Sequence, residues 1–303
     1  DVTSINTITL DLTTGDYDID TITPGSVIAA DGNISEVEII YTARGDDYIT
    51  GSTGADTLFT SDGNDILNLG TGDDFVNAGL GNDTIDGEGG EDTVDYSTDA
   101  TAIIVDLQTD IDDVTVEQDS GGANGTDRLY NVERINGTAQ DDVFRITSSV
   151  IAAMAISGNV YDAGAASSVD TIEVTSGTIN FDLADLANSF VNVEDINLTQ
   201  ATIDSGDDMI ILAKDVYDLL GGSGVANGKT LTIHAEDGFA YDAAMADATS
   251  VTPSGNTYTI TYAGETFTLV LDIGVIAADN NDNSLDGTSG ANTIDGLGGN
   301  DII

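Results

Sequence analysis

Cysteine and tryptophan are missing from the chain, histidine occurs once, proline twice, and lysine plus arginine number 6 against 55 aspartates and glutamates. Without cysteine nothing staples the fold through disulfides. With a single histidine besides, an ordinary thiolate or imidazole zinc site is excluded, and so is a metalloprotease H-E-x-x-H. A Ser-His-Asp triad would have to use His234, in the alternating run Leu231-Thr-Ile-His-Ala, and no G-x-S-x-G elbow occurs. His234 therefore reads as a surface strand residue. With so many acids, carboxylate pairs spaced for glycoside cleavage are unavoidable and carry no signal. The chain is expected not to be an enzyme. Its net charge of −49 turns it away from nucleic acid and anionic membrane, which both want basic patches. No apolar run is long enough to insert across a bilayer, and no signal peptide opens the sequence.

What is present argues against acidic disorder. Hydrophobic residues reach 40%, and runs of Val, Ile and Thr are frequent, so the chain can bury cores. A nine-residue period stands out. Glycines recur at Gly45, Gly54, Gly63, Gly72, Gly81 and Gly90. Two positions after each come Asp47, Asp56, Asp65, Asp74, Asp83 and Asp92, and two further on Ile49, Leu58, Leu67, Val76, Ile85 and Val94. Glycine admits a tight turn with positive φ, aspartate offers a hard oxygen ligand, and the aliphatic residue of a short strand can face inward.

This period resembles the nonapeptide G-G-x-G-x-D-x-U-x of the RTX family, U being aliphatic. The resemblance implies a calcium-loaded parallel β-roll with two nonapeptides per turn. Equivalent aspartates eighteen residues apart then stack, and calcium sits between turns on two carboxylates and the carbonyls of the glycine turns. Carried onto this chain, the pairs are Asp47 with Asp65, Asp56 with Asp74, Asp65 with Asp83 and Asp74 with Asp92, so Asp65 and Asp74 each serve two positions. Flexible, many-ligand oxygen coordination suits Ca²⁺ better than Mg²⁺. The family also implies an extracellular or cell-surface setting and export by type I secretion. The chain starts at Asp1 without Met and stops at Ile303 in mid-repeat, and is expected to be a segment of something longer.

The fold class expected is all-β: the calcium-loaded roll, a β-rich module with one short helix, and the start of a second roll. Residues 1–42 read as an N-terminal β capping segment, with Asp16, Asp18 and Asp20 on one solvated face. Residues 43–97 are the roll. Residues 98–147 form a β segment: a strand at Thr101–Leu107, a polar loop, then a degenerate half-repeat in which Val132 and Ile135 match Val37 and Ile40. There Asp142 matches Asp47 as a candidate ligand and Gln140 replaces the glycine. Residues 148–280 are a non-repetitive β-rich module. Asn192-Val-Glu-Asp-Ile-Asn197 in it echoes Asn131-Val-Glu-Arg-Ile-Asn136. Leu212, Val216, Leu219 and Leu220 have helical spacing and stop at Gly221-Gly222. Leu231–His234, Tyr258–Tyr262 and Phe267–Leu271 alternate as strands, the last two joined by a turn at Ala263-Gly264. Residues 281–303 begin the second roll, with Asn292 and Asp301 in the aspartate slot. Tyr41, Tyr48 and Tyr96 flank the first roll and read as end packing.

Three functions fit: a calcium-stiffened adhesin segment, a self-assembling surface-layer or matrix-fibre subunit, and the accessory region of a secreted hydrolase or epimerase. The partners expected are calcium and, through residues 148–280, a glycan, a peptide or another copy. Lys214 and Lys229, in that module, read as solvated helix and loop lysines.

Overall fold

The fold is that of a computed structural model, which describes residues 9–11, 39–42, 44–107, 113–117, 125–151, 159–164, 169–179, 181–203, 209–236, 241–243, 245–273, 276–277 and 294–295. The expected acidic face at Asp16–Asp20 and the slots at Asn292 and Asp301 lie outside these residues. The chain divides into two compact units, residues 1–144 with 158–168, and residues 145–157 with 169–303.

The first unit is a parallel roll of very short strands. These are β1 (Thr9–Asp11), β2 (Ile40–Tyr41), β3 (Tyr48–Thr50), β4 (Thr57–Phe59), β5 (Ile66–Asn68), β6 (Phe75–Asn77), β7 (Thr84–Asp86) and β8 (Thr93–Asp95). Odd strands pair with odd and even with even, all parallel; β1 meets β3 thirty-nine residues on, and from β2 to β8 the step is eighteen: Ile49 with Leu67 with Ile85, and Ile40 with Leu58 with Val76 with Val94. A three-residue strand points its middle side chain to one face. Accordingly Ile49, Leu58, Leu67, Val76, Ile85 and Val94 are fully buried between the two sheets. The implied two-nonapeptide turn and the all-β class are both seen.

The nine-residue spelling stops near residue 97, but the ladder does not. Three further strands, β9 (Ile104–Asp106), β10 (Asp113–Glu117) and β11 (Thr126–Tyr130), make an antiparallel meander. Part of the expected polar loop is thus strand. Through β11 the chain returns to the roll, because Leu129 pairs in parallel with Ile85. Next, β12 (Arg134–Asn136) places Ile135 beside Val94, and Val160–Asp162 places Tyr161 beside Ile135. Leu129, Ile135 and Tyr161 are fully buried, continuing both aliphatic rows. Ile135 therefore extends the roll's interior.

The second unit keeps the parallel habit with longer turns. Thr171–Ser176, Asp195–Asn197, Thr230–Ala235 and Glu265–Ile273 pair in that order, and Thr257–Tyr262 and Ser250–Ser254 add an antiparallel edge. Ile172, Ile196, Ile233 and Leu271 stack as one buried row across these strands. The expected helix is Ala213–Leu219, with Val216 and Leu219 buried. The turn at Ala263-Gly264 has φ of +50° and +86°, the left-handed pair that matches a two-residue hairpin to strand twist. Another short helix, Leu183–Ala187, carries Asp182 and Asp185 in a capping box. Among the described residues no helix is long and apolar enough to cross a membrane.

Candidate metal centre

Each repeat aspartate stands immediately before its strand, at the edge where one turn hands over to the next. All six are buried, each residue only 0–2% exposed. Burial of so many carboxylates in a chain with few cations requires compensation. Half of it comes from the backbone. Asp47 N donates to Asp65 Oδ1 (2.8 Å), Asp56 N to Asp74 Oδ1 (2.7 Å), Asp65 N to Asp83 Oδ1 (2.8 Å) and Asp74 N to Asp92 Oδ1 (2.9 Å). The eighteen-residue stacking is therefore a hydrogen-bonded ladder along both edges.

The other oxygen divides the aspartates into two kinds. Oδ2 of Asp65, Asp74, Asp83 and Asp92 is buried with no hydrogen-bond partner among the described residues. Asp56 Oδ2, by contrast, accepts Ser52 N at 2.7 Å, and Asp142 Oδ2 accepts Thr138 N at 2.6 Å. The donor in both closed cases lies four residues before the aspartate. In the four open cases that residue is left-handed: Ser61 (φ +70°), Gly70 (+97°), Gly79 (+82°) and Glu88 (+60°). Left-handed backbone turns the amide away from its aspartate. Thr60, beside Asp65, donates its hydroxyl to Ala78 O (2.9 Å).

The electrostatics follow from the open oxygens. Burial pushes Asp65 and Asp74 up to about 6 and Asp92 up to about 7, the carboxylates of neighbouring rungs adding to it. Asp83 is raised by burial and then by Asp127. A carboxylate that holds its proton so readily lacks a counter-charge, and a cation between the turns would reverse the shift.

Backbone and carboxylate oxygens of successive turns come close together at the repeat glycines. A Cβ on Gly63 would lie 2.2 Å from Gly45 O and 2.9 Å from Asp65 Oδ1; on Gly81 it would lie 1.5 Å from Gly63 O and 3.3 Å from Asp83 Oδ1. Glycine is needed at these positions for the close approach of two turns. The expected positive φ holds at Gly45, Gly72, Gly81 and Gly90 but not at Gly54 or Gly63. Among the described residues no point is ringed by three acidic or histidine side chains. The donor set is therefore two carboxylates and backbone carbonyls, all oxygen, which fits a hard, loosely coordinated ion such as calcium.

The ladder recruits carboxylates beyond the repeats. Asp83 N donates to Asp127 Oδ1 (2.9 Å) and Asp92 N to Glu133 Oε2 (2.9 Å). Tyr96, expected as end packing, is buried and donates its hydroxyl to Asp127 Oδ2 at 2.8 Å. Tyr41 and Tyr48 remain exposed, Tyr41 stacking on Phe59 with centroids 4.8 Å apart. Asp127 and Glu133 escape a search by period, because the meander breaks the count. An acidic residue two positions before an inward aliphatic, Leu129 or Ile135, is the signal they share with the repeats. Asp142 takes a different place: its Oδ1 accepts Ile103 N at 2.8 Å, so it serves the meander strand rather than a repeat aspartate.

In the second unit His234 lies on its strand as expected, its Nε2 2.8 Å from Asp195 Oδ1 and its Nδ1 2.9 Å from Asp272 Oδ2. Lys214 is exposed and pairs with Asp218 one turn along its helix. Lys229 is not a solvated loop lysine: its ammonium meets Glu194 Oε1 at 2.5 Å, with both side chains only 11% exposed.

No curated protein matches the chain. The family model of the RTX calcium-binding nonapeptide repeat, four copies long, matches residues 41–76, 69–100 and 277–303. Repeats of that family bind calcium and are typical of secreted proteins. The matches leave residues 101–276 outside the repeat, including the meander and most of the second unit. The period, the parallel turns and the stacked aspartates agree with that match, and residues 41–100 carry RTX calcium-binding nonapeptide repeats.

Proposed function

We propose that the chain is a calcium-dependent structural and adhesive segment of a large extracellular bacterial surface protein, exported by type I secretion. One observation carries the calcium part: four stacked, buried carboxylate oxygens that no donor among the described residues meets. A cation bound there joins turn to turn, so its binding free energy is also folding free energy. In a chain without cysteine, calcium then does outside the cell what disulfides do elsewhere. On this reading the segment has no catalytic centre of its own, and its single histidine is engaged between two aspartates. Recognition of a glycan, a peptide or another copy falls to the non-repetitive residues 148–280, because the roll's surface repeats along its length.

Circular dichroism and limited proteolysis of the full chain, with calcium and with excess chelator, test the proposal. Chelation is expected to remove strand signal and to open residues 44–97 to protease, and calcium to restore both. A roll that stays protected in chelator would refute calcium dependence.

A further inference from the structure

Four adjacent strands of the second unit, Thr230–Ala235, Glu265–Ile273, Thr257–Tyr262 and Ser250–Ser254, form the end of its sheet. On one face Leu231, Ile233, Tyr258, Ile260, Phe267 and Leu269 are buried. Tyr217, from the helix Ala213–Leu219, packs on Phe267 there with ring centroids 6.0 Å apart. Alternation along each strand sends the intervening residues to the other face. The register lines these up in rows. Thr252, Thr259, Thr268 and Thr230 stand side by side across all four strands. Next to them run Ser254, Thr257, Val270 and Thr232 on one side, and Ser250, Thr261 and Thr266 on the other. All eleven are exposed or half-buried, and ten carry a hydroxyl.

This face is uncharged on a chain of net charge −49. The acids that continue it, Asp195 beside Thr232 and Asp272 beyond Val270, lie at its border, where both bind His234. Thr261 and Thr266 join hydroxyls at 3.2 Å. The four threonines of the central row keep theirs free of any other described residue.

We infer that this hydroxyl face binds an uncharged linear polysaccharide. The inference rests on the reading that recognition falls to residues 148–280, and it selects among the three partners named there. A peptide would add to the sheet at its edge strand, Ser250–Ser254, but Pro253 removes a donor from that edge. A second copy needs more surface. Four strands about 4.8 Å apart and five residues at about 3.3 Å give roughly 300 Å², against about 800 Å² per partner in a stable protein complex. A glycan chain fits both limits. Each threonine hydroxyl can donate and accept, as sugar hydroxyls do, and each methyl can lie against sugar C–H groups. Rows that recur at the strand spacing suit a ligand that itself repeats. The acidic border and the charge of the whole chain repel uronate and sulfated polymers and leave neutral ones.

Native gel electrophoresis of the full chain in calcium, through gels holding a soluble neutral β-glucan, a galactomannan or carboxymethyl cellulose, tests this. A neutral polymer is expected to slow the chain, and carboxymethyl cellulose is not. Thr259→Glu is expected to weaken the retardation roughly tenfold, as is Thr259→Val with Thr268→Val, which loses two hydroxyls while keeping β-branched strand residues. Retardation unchanged in both variants would overturn this face and leave recognition by residues 148–280 standing. Retardation kept in both but lost in Tyr41→Ser, on the first unit, would move recognition to the roll and sink both readings. A chain slowed by neither neutral polymer, or by carboxymethyl cellulose alone, would overturn the neutral glycan.

Discussion

Asp56 and Asp65 carry the same side chain in the same slot of the repeat, yet their environments part at one backbone angle. Four residues before Asp65, Ser61 is left-handed and its amide turns away; four before Asp56, Ser52 is not, and its amide closes the carboxylate. Eighteen-residue pairing alone ranks Asp65 and Asp74 above the rest. The hydrogen bonding draws the line elsewhere, between open and closed aspartates. Asp65→Asn, Asp74→Asn, Asp83→Asn and Asp92→Asn are each expected to reduce bound calcium by about one ion, while Asp56→Asn and Asp142→Asn leave the stoichiometry unchanged. Calorimetric titration of the six variants measures this, and an Asp56→Asn chain that loses calcium as Asp65→Asn does would show that the left-handed residue sorts nothing. None of this could be read from the repeat itself. Ser61 and Glu88 are poor sequence candidates for positive φ, and the turn imposes it on them.

At the scale of the strand and its turn, much was legible and some was not, for a physical reason in each case. The inward row from Ile49 to Val94 followed from the period, because a strand of three residues has one interior position. The helix ending at Leu219 followed from 3.6-residue spacing and the Gly221-Gly222 stop. The continuation of the roll through Leu129 and Ile135 did not follow. The meander restores parallel pairing at a distance in sequence that no fixed period reports. Glu133 takes an aspartate's place in the ladder where only three residues, 131–133, separate β11 from β12, against six, 87–92, between β7 and β8. The echo between residues 131–136 and 192–197 is visible as spelling, but its content, a glutamate before each strand that accepts the amide of an aspartate one turn back, shows only in the fold. Lys229→Met tests the lysine-served copy: it leaves Glu194 buried without its partner, a loss of roughly 3 kcal/mol for a mostly buried pair. Thermal unfolding of the second unit should move to lower temperature by the same amount in calcium and in chelator. A shift seen only in chelator would mean that a metal, not the ammonium, serves Glu194.

At the scale of the whole molecule, protons and calcium compete for the same carboxylates. Without a cation the fold holds Asp65 and Asp74 near 6 and Asp92 near 7, against 3.8 for an unperturbed aspartate. Folding then takes up protons, so their contribution to stability is full below 3.8 and is lost as pH rises through 6 to 7. In chelator the chain is accordingly expected to be more structured at pH 4 than at pH 8, and calcium to abolish the difference. A pH titration of the strand signal in circular dichroism checks the direction; a chelated chain that gains structure with rising pH would contradict it. The short strands set one more property. Neighbouring strands lie about 4.8 Å apart, so each edge of the roll is a line of carboxylates at that spacing. Two unit charges in water interact with thermal energy at about 7 Å. A line charged more densely than that behaves as a polyelectrolyte: it gathers counterions from solution whatever their identity, and calcium enters by displacing that atmosphere rather than by finding bare sites.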